Sequence, residues 1–201
     1  MGYTLLAIIK LIITILLIPV VYAVTMILDA HLGGYPSTFR TFLFWGAGSF
    51  VFFFLFVYQF WGLYEIGQKT MVNLFQFLAP FDKIFSYSVP FFTLLILLFH
   101  FAVKQLLDVD GMDPYLIYFA GFTLSMHILC TAQDLQGQEK YPIKPNYLFN
   151  MTFCYIVNIF ILILLLDLVT GDVTFLDFFS EMAAKAGETY QTGIDRFILF
   201  R

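Results

Sequence analysis

The sequence predicts an all-α polytopic membrane bundle: about five transmembrane helices followed by a C-terminal amphipathic helix. Three observations predict it. The 201 residues are 61% hydrophobic and 20% aromatic, and 12% are charged, about half the roughly 25% usual in soluble domains. The apolar residues come in runs that match the roughly 20 residues needed to cross a bilayer. No polar stretch between them reaches the roughly 50 residues that a separate soluble domain needs. The net charge of −4, with no basic tract, argues against nucleic acid and against a polybasic lipid anchor. The partners this composition implies are membrane lipids and other integral membrane proteins.

The transmembrane domain is expected over residues 1–173. A run from Leu5 to Leu28 is longer than the apolar core of a cleavable signal, so residues 4–28 read as a retained first span. Lys10 near its start can snorkel to the headgroups, and Pro19 can kink it. Asp29 to Arg40 reads as a loop, punctuated by Gly33, Gly34 and Pro36, with His31 solvated inside it. The second span, residues 41–63, is dense in phenylalanine, and Gly46 and Gly48 offer a notch for helix contact.

A polar interruption, Tyr64 to Lys69, comes next. Either residues 69–80 form a re-entrant or interfacial segment, or the span shifts towards Pro80 and buries Glu65. Pro90 opens the third span, residues 89–107. The acidic turn Asp108 to Pro114 misses the glycine and glutamate of a calcium loop, since Asp113 and Phe119 hold those positions, so it reads as solvated. The fourth span, residues 115–132, leaves through a polar exit reaching Lys140. The fifth, residues 147–169, carries Asn150 and Asn158 near one face. Cys130 and Cys154 fall inside apolar runs and read as small buried thiols.

The tail, residues 174–201, spaces Phe175, Phe178, Phe179, Met182 and Ala186 at helical intervals among acidic residues. It reads as an amphipathic helix on the membrane or against a partner. Its acidic face suits anionic lipid poorly, so a protein surface is the better dock. Five crossings put the termini on opposite sides. Lys69, Lys83, Lys140 and Lys144 make the N-terminal side slightly richer in basic residues near span ends, which places the N-terminus in the cytoplasm.

Tyr64, Glu65 and Gln68 stand in the positions of H-E-x-x-H, which on a helix sets two imidazoles one turn apart to hold zinc, with the glutamate as general base. With Ser86 to Leu95, Met126 to Thr131, Gln138 and Asn158, the order and spacing from about residue 50 to 168 resemble a bacterial branch of the site-2-protease-like membrane metalloproteins, peptidase family M50. The resemblance implies that Tyr64 and Gln68 occupy the two zinc-histidine positions, Glu65 the base position and His127 a polar position on a later span. It also implies a bacterial inner membrane. Tyrosine and glutamine are poor substitutes for imidazole at zinc, and without the metal no bound water is acidified for Glu65 to activate.

The implied protein is therefore a catalytically inactive relative with no cofactor. It is expected to serve as a non-catalytic subunit or scaffold of a larger membrane complex, holding other chains through its phenylalanine-rich surface and its tail. The alternative is an intramembrane metalloenzyme or small transporter in which Glu65, His100 and His127 converge as a facial triad. Gln68, Asn73, Asn150 and Asn158 are its further polar candidates. A plainer reading leaves Glu65 facing water or paired with Lys69.

Overall fold

A computed structural model of the chain describes residues 5–57, 60–79, 82–107, 111–138 and 143–199. These residues form eight α-helices: α1 (Leu5–Leu32), α2 (Ser37–Phe56), α3 (Trp61–Leu74), α4 (Asp82–Ser88), α5 (Phe91–Leu107), α6 (Asp113–Gln138), α7 (Pro145–Thr170) and α8 (Phe175–Leu199). A single 3-10 turn, Gln76–Leu78, comes after α3. No strand is present among the described residues. α1, α2, α6 and α7 are each long and apolar enough to cross a membrane, and α4 with α5 makes a fifth candidate, bent by 60°. This is an integral membrane helical bundle, as the composition predicts.

Two parallel helix pairs build the frame. α2 lies along α6, where Gly46 and Gly121 bring the backbones together: a Cβ on Gly46 would sit 1.9 Å from the Tyr118 carbonyl oxygen, and one on Gly121 2.3 Å from that of Leu43. Gly48, the other half of the expected notch, faces open space. α1 lies along α7, held by Lys10 Nζ donating to Asn146 Oδ1 at 2.8 Å and by Thr25 against the Tyr155 hydroxyl at 2.9 Å. α5 runs antiparallel to α6, with Thr93 hydrogen-bonded to Thr123 and His100 beside Asp113.

Several expected boundaries move. The expected loop from Asp29 to Arg40 is mostly helix: α1 continues to Leu32 and α2 begins at Ser37, which puts His31 in the last turn of α1. The second span does not reach Leu63; α2 ends at Phe56. No proline or glycine marks that stop. Phe50, Phe54, Phe60 and Phe122 meet in one aromatic cluster beside that end and the start of α3. The polar exit of the fourth span is helical through Gln138. Asp108, Asp110, Pro80 and Lys140 lie outside the described residues.

The tail is the helix α8, but its apolar face is covered by its own chain. Phe178, Met182 and Ala186 are buried in the core with Ala23 and Val24 of α1 and Ile163 of α7. α8 also runs antiparallel to α1: Phe178 packs on His31 at 5.3 Å between ring centroids, and the Tyr190 hydroxyl donates to the Leu16 carbonyl. The end of α8 therefore returns towards the N-terminal end of α1. The expectations that its apolar face rests on the membrane or a partner, and that the tail stays at the side opposite the N-terminus, are corrected: that face is buried against α1 and α7.

Candidate functional site

The site is built around the break between α4 and α5. Pro90 has no N–H to give to the preceding turn and its ring clashes with the carbonyl four residues back, so the helix stops at Ser88 and restarts at Phe91 at 60°. A bend of that size takes the last carbonyls of α4 out of line with α5. In a bilayer those oxygens need donors from the protein. His127 on α6 and Asn158 on α7 supply them: His127 Nε2 donates to the Tyr87 carbonyl at 3.0 Å, and Asn158 Nδ2 donates to the Ser88 carbonyl at 2.9 Å and to that of Cys154 at 2.7 Å. Because a carbonyl can only accept, the His127 proton sits on Nε2. Gln138 Nε2 donates to the Tyr87 hydroxyl at 2.9 Å, fastening the end of α6 to α4.

α3 lies over this break. Tyr64, Gly67 and Met71, at successive i+3 and i+4 steps, form its buried face. The Tyr64 hydroxyl meets Thr131 Oγ1 at 3.2 Å, and its ring centroid is 6.5 Å from that of His127. Gln68 Nε2 donates to Ser86 Oγ at 3.4 Å. Gly67 is small where Phe92 presses in, since a Cβ there would lie 2.8 Å from its ring. Tyr64, Gln68, Thr123 and His127 share one cavity of about 10 Å³, room for about one water.

The structure thus brings together Tyr64, Gln68 and His127, and sets Asn158 on the neighbouring carbonyl. It does not bring in the other candidates. Glu65 turns outward, its side chain 47% exposed, where it accepts from Trp61 Nε1 at 2.9 Å and pairs with Lys69 at 3.5 Å. His100 pairs with Asp113 at 3.1 Å, with Lys104 at 3.8 Å from the same oxygen. Asp113 lies about 21 Å along α6 from His127 at 1.5 Å per residue. The expected convergence of Glu65, His100 and His127 is therefore corrected. Among the described residues no group of three or more His, Cys, Asp or Glu side chains is arranged to hold a metal ion. Asn73 is exposed, and Asn150 is half-buried with its Oδ1 unpaired.

A second polar cluster, at the other end of α7, is built from residues the sequence does not single out, apart from His31, which is packed against Tyr35 and Phe178 rather than solvated. The Asp167 carboxylate accepts from the Tyr35 hydroxyl at 2.8 Å, from the Thr174 hydroxyl, and from the backbone N–H groups of Thr174 and Phe175, each at 2.8 Å. His31 Nε2 meets Thr174 Oγ1 at 2.9 Å. Asp167 thus neutralises the donor-rich start of α8, and Gly171, in the left-handed region at φ 79°, lets α7 end and turn into it. Burial raises the Tyr35 phenol above its ordinary value of about 10. The signal in the sequence is an aspartate inside an aliphatic run, Ile159 to Val169.

No protein-family model, curated protein or solved structure matches this chain.

Proposed function

We infer that the protein is a non-catalytic integral membrane subunit that holds other membrane proteins. The observation that carries this reading is the position of α8. Lys10 and Asp29 stand about 29 Å apart along α1, close to the roughly 30 Å hydrocarbon core of a bilayer. α8 runs beside that stretch, from Phe178 at His31 to Tyr190 at Leu16. Its outward residues Lys185 and Glu188 therefore sit at hydrocarbon depth, with Glu181 at the edge of it. Lys185 and Glu188 pair at 2.8 Å, with side chains 34% and 66% exposed. A charged side chain at the bilayer centre costs about 3 kcal/mol or more and almost always faces protein or water. A protein partner over this face removes that cost.

The candidate site agrees with a non-catalytic role, because its polar groups are spent on the carbonyls and hydroxyls of the frame. The sharing of one cavity by Tyr64, Gln68 and His127 supports a degenerate M50-like frame, in which the bacterial inner membrane is the expected home. The return of α8 adds Arg196 to the side holding Lys69, Lys83 and Lys144, against Arg40 and Lys104 opposite, which favours a cytoplasmic N-terminus. The alternative enzyme or transporter reading through Glu65, His100 and His127 loses its geometric basis, since the three stand apart.

Extraction of the full chain from native membranes in mild detergent, with light scattering of the purified particle, tests the reading. The expected particle is larger than the 23.2 kDa chain, and Glu181→Lys with Glu188→Lys reduces it. A protein-only mass of one chain, unchanged by those substitutions, would overturn it.

A further inference from the structure

A cleft separate from the candidate site lies between the two parallel helix pairs. α1 packs on α7 and α2 on α6, so the helices on either side of the short 33–36 turn diverge and leave a space of about 280 Å³. Its walls are mostly aliphatic, with Leu43, Leu124, Ile159 and Leu162 among them; Thr25, Ser125 and Asp29 also line it, and exposed Phe44 stands at its rim. Asn158, 1% exposed, belongs to the same wall. The donor side of its planar amide is fixed on Ser88 and Cys154. Its Oδ1, on the other side, is buried and has no hydrogen-bond partner, an arrangement that is costly to leave unmet. The four enclosing helices are membrane-spanning by length and composition, so the source of an occupant is the bilayer.

We propose that this cleft binds an uncharged single-chain amphiphile from the membrane, whose hydroxyl or amide N–H donates to Asn158 Oδ1. At the roughly 30 Å³ taken by a water-sized group in a condensed phase, the space accommodates an aliphatic body of roughly nine carbons. An aliphatic chain alone would fill the walls and leave the amide oxygen unmet. The one charged group in the lining, the Asp29 carboxylate, repels an anionic headgroup and already has Arg40 as its cation at 3.1 Å.

The test uses the purified full chain and a photoactivatable decanol, with labelled peptides mapped by mass spectrometry. Unlabelled 1-decanol and its methyl ether, which differ in the donor, then compete with the probe. Decanol is expected to compete at about tenfold lower concentration than the ether, the ratio one buried hydrogen bond gives. Ala47→Phe, which fills the cleft from α2, removes labelling of the α6 and α7 peptides. Ile128→Trp repeats the block from another helix, should the first variant fold poorly. Equal competition by alcohol and ether would overturn the role of Asn158, and labelling that persists in both variants would overturn the cleft itself.

Discussion

A carbonyl oxygen 1.9 Å from the place a methyl would occupy makes Gly46 the least replaceable residue on α2. Because the obstacle is backbone, Gly46→Ala must push α2 away from α6. The expected loss is about 1–3 kcal/mol, as for overpacked cores, read as a lower thermal midpoint in detergent. Gly48→Ala, with nothing within 4 Å, is expected to leave the midpoint within about 1 kcal/mol. The sequence offered both glycines as one notch, and the choice between them depends on the register of α6, which no local pattern carries. The same holds at the site. Tyr64, Gln68 and His127 were legible as a set through the H-E-x-x-H spacing and the resemblance, but the outward turn of Glu65 was legible only as the plainer pairing with Lys69. If the frame is a metalloprotease frame stripped of ligands, Tyr64→His with Gln68→His restores the two zinc-histidine positions, on the cavity that His127 also lines. That double variant is expected to co-purify with about one zinc per chain by elemental analysis, and no retained zinc would count against the M50-like frame.

At the scale of elements, the break before α5 was readable from Pro90, whereas the end of α2 was not, because no proline or glycine stands between Phe56 and Trp61. The consequence of the break was equally hidden: two freed carbonyls recruit His127 and Asn158 as donors. His127→Leu strands the Tyr87 carbonyl, with an expected cost of about 1–3 kcal/mol, seen as faster hydrogen exchange in α4 and the start of α5. The docking of α8 makes a pH-dependent case. The Tyr35 phenol is raised above about 10 by burial, so its contribution is fully present below the unfolded value and is lost as pH rises through the folded one. Wild-type stability relative to Tyr35→Phe is therefore expected to be flat from pH 7 to 9 and to shrink above pH 10. A difference constant to pH 11.5 would show that the Asp167 cluster does not depend on that proton.

For the molecule as a whole, composition was enough to predict a membrane bundle, and the amphipathic tail was plain from its spacing. Where that tail goes was not, because an apolar face says nothing about which surface it meets. Asp167 decides it by fixing the start of α8 beside Tyr35 and His31, and the helix then runs down α1 with its charges outward. A photo-cross-linking amino acid in place of Glu188, activated in native membranes, reports directly on what covers that face. A protein adduct, lost when Glu181 is also reversed to lysine, is the result predicted. Labelling confined to lipid would contradict the account.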